Sequence, residues 1–169
     1  MTAENQLSFI PRVDDPTKKN GLSLYFDGAA RNNPGPAGAG IMIKRNNIAV
    51  CAHGFYLGSK TNNQAEYLAL ILGIILVKKH MAPQEHVTIY GDSELLVQQM
   101  TGNYRVKNPT LQQLFNAAYI LSTDLSLTFK HIPRLQNKSA DQLANKGIDT
   151  HNPIPDEYKR ILNEYNVAL

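Results

Sequence analysis

Leu22, Leu24 and Phe26 alternate with Ser23, Tyr25 and Asp27. That period of two predicts a strand, and the Gly/Pro/Asn cluster over 32–35 predicts the turn that closes it. Residues 41–44 and 48–57, joined by the polar pair Asn46-Asn47, predict two further strands and an opening antiparallel meander. The period then lengthens. Ala65, Leu68, Leu72, Ile75 and Leu76 follow helical spacing within 61–80; Thr61 or Asn62 can cap the start, and Pro83 bars continuation. A short buried strand is expected over 87–90, and a short helix over 93–100 ended by Gly102. Asn108-Pro109 pairs a cap with a first-turn proline for a helix reaching about Leu121. Leu125, Leu127 and Phe129 mark a last strand. Residues 137–146 read as a helix closed by Gly147. Tyr158, Ile161, Leu162 and Tyr165 form one stripe of a terminal helix over 155–165, expected to pack back on the body.

The order β-β-β-α-β-α-α-β-α followed by a tail predicts an α/β fold, a mixed sheet with helices on both faces. Residues 1–20, with Pro11, Pro16, Asp14-Asp15 and Lys18-Lys19, read as a loose arm. Residues 21–149 form the body and 150–169 the tail. The length of 169 residues suits one domain with a core of its own, and 43% hydrophobic against 18% charged residues excludes a disordered chain. A net charge of +3 is not that of a tail-driven nucleic-acid binder. The lone Cys51 excludes an internal disulfide framework and a multi-cysteine zinc site, and fits a reducing cytoplasm. The apolar run over 67–77 is broken by Gly73 and stops at Lys78, too short to span a bilayer. The start of the chain lacks the apolar stretch of a secretory signal.

Four acids bring in chemistry. Asp27 follows the first strand, Glu66 lies near the start of the long helix, Asp92 ends the 87–90 strand and Asp141 sits on the late helix. Each also has a plain structural reading: an Asp-Gly turn, a first-turn helix acid, a cap for the helix opening at Ser93, and a solvated helix face. Together they suggest more. Sites in open α/β sheets form at strand ends, where Asp27 and Asp92 both stand. Clustered carboxylates repel and call for a cation, and all-oxygen ligation selects magnesium or manganese over zinc.

The surrounding residues resemble the type 1 ribonuclease H family. Asp27-Gly28, followed by Asn33-Pro34-Gly35-Pro36 and the spaced Gly38 and Gly40, resembles its first motif; Thr61-Asn62-Asn63-Gln64-Ala65-Glu66 resembles its second. Tyr90-Gly91-Asp92-Ser93 resembles the third, and Asn137-Lys138-Ser139-Ala140-Asp141-Gln142-Leu143-Ala144 the fourth. All four stand in family order across residues 22–147. The resemblance implies the ribonuclease H-like fold, five strands in a mixed sheet with the first three antiparallel. It implies endonucleolytic cleavage of the RNA strand of RNA–DNA hybrids, leaving 5′-phosphate and 3′-hydroxyl ends. Asp27, Glu66, Asp92 and Asp141 are implied ligands of two Mg²⁺ ions (Mn²⁺ can substitute). Asp27 would bridge both ions, Glu66 and Asp92 would complete the ion near the leaving oxygen, and Asp141 the ion holding the attacking water. Asn33, Asn62 and Asn63 map onto minor-groove contacts; amides both donate and accept, which suits 2′-hydroxyls and base edges. Gly28 would let backbone approach the RNA strand.

Two rivals stand beside this reading: a non-catalytic nucleic-acid-binding module on the same fold, and a nuclease for another duplex such as double-stranded RNA. The chain also departs from many members. Between Asp92 and Pro109 the basic residues are Arg105 and Lys107, where those members carry a strongly basic protrusion. Grip on the hybrid is then expected from Lys44-Arg45, Lys78-Lys79, Lys138 and Lys146. His131 stands ten residues before Asp141, the spacing of a mobile histidine that assists turnover in many members. His131 also shares strand parity with Leu125, Leu127 and Phe129; if it ends that strand, Arg134 is the nearest group to act on phosphate. No membrane and no obligate protein partner are expected, and the protein is expected to be monomeric.

Overall fold

The computed structural model describes residues 21–169; the expected arm over 1–20 lies outside them. Five strands form one sheet in the order β3-β2-β1-β4-β5. β1 (Leu22–Ala30), β2 (Gly35–Arg45) and β3 (Ile48–Lys60) make the antiparallel meander. β4 (His86–Gly91) and β5 (Ser126–His131) add in parallel beside β1. The α/β mixed sheet with its first three strands antiparallel is therefore as expected.

Helices cover both faces. α1 (Asn62–His80) lies under Leu22, Leu24 and Phe26, with α3 (Pro109–Ser122) packed against it. α2 (Glu94–Met100) follows β4. α4 (Lys138–Thr150) crosses the opposite face, over β2 and β3. α1 is buried from Ala65 almost without interruption through Val77, because sheet and helix enclose it from both sides. Thr61 caps it: its hydroxyl accepts from the Gln64 N–H, and the Gln64 side chain accepts from the Thr61 N–H. No helix among the described residues is long and apolar enough to cross a membrane.

Two boundaries differ from the sequence reading. β2 begins at Gly35, six residues before Ile41, and α4 continues through Gly147 to Thr150, capped by His151 in the left-handed region. One cause explains both. A Cβ on Gly40 would stand 1.9 Å from the Ala140 carbonyl oxygen, and one on Gly38 would stand 2.2 Å from that of Ala144. A Cβ on Gly54 would meet the Leu143 oxygen at 2.0 Å, and one on Gly147 the Phe55 backbone at 2.7 Å. These glycines let α4 rest on the sheet main chain to main chain. The residues after α4 are tied to β3, where Asn152 Nδ2 donates to the Gly54 oxygen and the Tyr56 N–H donates to the Asn152 oxygen. α5 (Asp156–Glu164) buries Tyr158 and Leu162 in the same core.

Candidate active site

β1 and β4 run parallel with Tyr25 beside Tyr90, so two residues further on Asp27 and Asp92 arrive together at their carboxyl ends. α1 brings Glu66 to them. Carboxylate oxygens of Asp27, Glu66 and Asp92 lie within 4.8 Å of one another. A Cβ on Gly28 would stand 2.1 Å from the Ala65 carbonyl carbon and the Glu66 nitrogen. Its bare backbone is thus used by α1, and the Gly28 N–H donates to the Glu66 carboxyl. Gly28 also lines the cleft above the acids.

Ser93, not Asp92, caps α2, accepting from the Leu96 N–H. Asp92 is left to the site, where its Oδ1 accepts from Asn137 Nδ2 at 3.1 Å. The same amide donates to the Phe26 oxygen at 2.8 Å. Asn137 is 1% exposed, makes no side-chain cap for α4, and keeps a buried Oδ1 without a partner among the described residues. Sequence reasoning gave it a helix start, where asparagine ordinarily caps, and a place at the head of the fourth motif, with no role of its own; that role depends on a contact 111 residues away. Asn137→Ala is expected to lower kcat about 10–100-fold with KM little changed, the loss expected when a group that holds a site carboxylate in place is removed. Steady-state kinetics on folded variant protein check this.

Asp141 stands in the first turn of α4, partly exposed, and its Oδ1 accepts from Arg134 at 3.0 Å. Burial, then Asp92 and Asp141, push the Asp27 carboxyl up to about 7, against the opposing pull of Glu66 and Arg134. Burial and the charges of Asp27 and Asp92 hold Glu66 well above the usual carboxylate range. Without a cation the Asp27–Glu66 hydrogen bond needs a proton shared between the two carboxyls. Glu66 Oε2 is buried with no hydrogen-bond partner among the described residues. Oxygen-only donors, mutual repulsion and an orphaned buried oxygen fit a hard divalent cation.

The cleft, about 550 Å³, is lined by these three acids, the Gly28–Arg31 segment, Asn62, Ser93, Arg134 and Asn145. Asn62 and Asn33 stitch its rim: the Ala30 N–H donates to Asn62 Oδ1, and the Asn62 N–H to Asn33 Oδ1. Each spends its carbonyl oxygen on backbone and keeps its NH₂. Asn63 is exposed beside a small crevice bounded by Ser93 and Gln99. His131 is the exposed last residue of β5, paired with Gly91, and does not line the cleft; Arg134, on the short 3-10 turn that follows, does. The cations expected to grip substrate are mostly engaged elsewhere. Arg45 pairs with Glu85, Lys78 with Asp124 and Lys79 with Glu157, while Lys44 lies over the Tyr25 ring.

Comparison with known proteins places this arrangement. Residues 25–147 match a family described as reverse transcriptase-like. Ribonuclease HI of Halobacterium salinarum is 37% identical over 144 residues, 83% of this chain and 70% of that protein. The chain belongs to the type 1 ribonuclease H family. Another ribonuclease H relative, LC11-RNase H1 in a crystal structure with an RNA/DNA hybrid, is 39% identical with a TM-score of 0.72, covering 76% of this chain and 97% of that one. The bifunctional protein Rv2228c of Mycobacterium tuberculosis is 38% identical over 129 residues, but the match spans only 35% of its length.

Proposed function

We propose that this ribonuclease H family member cuts the RNA strand of RNA–DNA hybrids internally, leaving 5′-phosphate and 3′-hydroxyl ends. The observation that carries the reading is the Asp27–Glu66–Asp92 carboxylate cluster at the floor of an Arg-flanked cleft. The hybrid-bound relative supports the substrate. Asp27, Glu66, Asp92 and Asp141 would hold two Mg²⁺ or Mn²⁺ ions. Such a pair activates water and stabilises the leaving oxygen on phosphate. The protein supplies the rest. Asn137 fixes Asp92 in place, Arg134 orients the phosphate, and Asn33, Asn62, Asn63 and Gly28 form the surface that meets the minor groove. Arg134 stays charged near neutral pH and so cannot shuttle a proton; His131 is the nearby imidazole at the end of β5. Cys51 as a buried free thiol supports a reducing, cytoplasmic setting, and the proposed working form is a monomer.

The test is a panel of RNA–DNA, RNA–RNA and DNA–DNA duplexes with Mg²⁺, Mn²⁺ or EDTA. Metal-dependent internal cleavage of RNA in the hybrid alone is expected. Cleavage of DNA duplexes with hybrids spared, or binding without turnover by folded protein, overturns the reading. In the same assay Arg134→Ala is expected to lower kcat more than His131→Ala, since only Arg134 lines the cleft.

A further inference from the structure

Two cations, Arg31 and Arg134, stand among the described residues lining the cleft. They occupy opposite ends of one wall. Asp141, Asn145 and Asp149 recur every four residues along α4 and so share a face. Arg134 pairs with the first, and Arg31 with the last. Between them, Asn145 lines the cleft and donates its Nδ2 to the Asp141 carbonyl oxygen. Eight helical residues span about 12 Å, so the two cations stand well apart along the wall.

We infer that Arg31 binds a backbone phosphate of the hybrid away from the bond being cut, with Asp149 holding the guanidinium at the cleft. The inference rests on the hybrid-cleaving function proposed above and extends it to a second anchoring point. The backbone at Arg31 is fixed: its N–H donates to the Pro36 oxygen, and the neighbouring rim is stitched by Asn33 and Asn62. The ion pair engages one terminal nitrogen of the guanidinium, and an arginine carries five N–H donors in a fork suited to phosphate. Both side chains are about half exposed, at 50% and 57%. A pair so open to water does little to brace the fold, so its placement in the cleft matters more for what enters. A cleft floored by three acids repels a polyanion, and cations at both ends of the wall offset that repulsion where the strand passes.

Steady-state cleavage of a labelled hybrid in Mg²⁺ over a salt series tests this, with Arg31→Ala and Asp149→Asn compared against wild type. Arg31→Ala is expected to raise KM about tenfold, in line with loss of a charge-assisted hydrogen bond, with kcat within about twofold. The slope of log kcat/KM against log salt should flatten by about 0.9, the loss of one phosphate contact. Asp149→Asn should keep the wild-type salt slope, and both variants should melt close to wild type. An Arg31→Ala protein with wild-type KM and slope overturns the inference. So do equal losses in both variants with matched falls in Tm, which would make the pair a brace. A wild-type protein that cuts no hybrid sinks the proposed function, and this inference with it; a wild type that cuts while Arg31→Ala matches it sinks the inference alone.

Discussion

Asp27→Asn is expected to abolish the proposed hybrid cleavage, lowering kcat/KM at least ~10³-fold, about 4 kcal/mol of transition-state stabilisation, yet to make the metal-free protein more stable at pH 8. The two effects share one cause. Asp27 is 5% exposed and faces Glu66 and Asp92, so its folded-state pKa stands near 7 against an ordinary value of 3.8. A raised folded pKa means that the folded chain binds the proton more tightly than the unfolded chain. The stabilisation from that proton is complete below about pH 4 and is lost as pH rises through about 7. Across that window metal-free wild type should lose on the order of 2–4 kcal/mol, while Asp27→Asn should show a flatter profile. Mg²⁺ should restore the wild type at pH 8 and do little for the variant. Thermal melts between pH 4 and 8, with EDTA or Mg²⁺, measure this. A variant less stable than metal-free wild type at pH 8 would show that Asp27 is a structural acid.

Gly40→Ala is the substitution expected to damage the fold most. Gly40 pairs with Asp27 on one side and Gly54 on the other, so α4 crosses the sheet next to the acid it helps surround. The added methyl would meet the Ala140 oxygen and the Ala144 nitrogen, at 1.9 and 2.5 Å. Both are backbone atoms of α4, so no rotamer change relieves the clash and the helix must lift. A cost of about 3 kcal/mol or more is expected, a fall in Tm on the order of 6–12 °C for a chain of this size. Asp141 travels with the helix, so the folded fraction should also lose activity. Melting curves together with cleavage per folded molecule check both parts; a change in Tm within a degree would show that α4 shifts freely on the sheet.

What could be read from the chain follows from how local each signal is. Leu22, Leu24 and Phe26 announce β1 because the alternation is complete within five residues. The proline, alanine and glycine stretch over 36–40 falls between the predicted turn and strand, since it holds no large apolar residue; in the fold it is strand, and its bare backbone seats α4, a hundred residues later. Gly147 misled for the same reason: a glycine near a helix end ordinarily terminates it, whereas this one faces the Phe55 backbone. At the site, Asp27, Glu66 and Asp92 converge as their motifs implied, and Asp141 stands at the edge, held by Arg134. Asn137 and Arg31 sit inside those motifs but carry no local mark of a role. One donates to Asp92 and the other lies against Asp149, contacts that only the folded chain creates.

The glycine seat beneath α4 also bears on how this enzyme can diverge. A contact made of main chain tolerates few residue types: at Gly38, Gly40, Gly54 and Gly147 nearly any side chain is shut out, whatever its polarity. The outward residues of the same helix carry no such restriction. Side-chain size is therefore frozen on one side of α4 and free on the other, where Asn145 and Asp149 stand and only the roles proposed for Asp141 and Asp149 limit exchange. Descendants of this sequence can exchange charges along the wall, and with them salt tolerance or reach along a strand, without rebuilding the helix's footing.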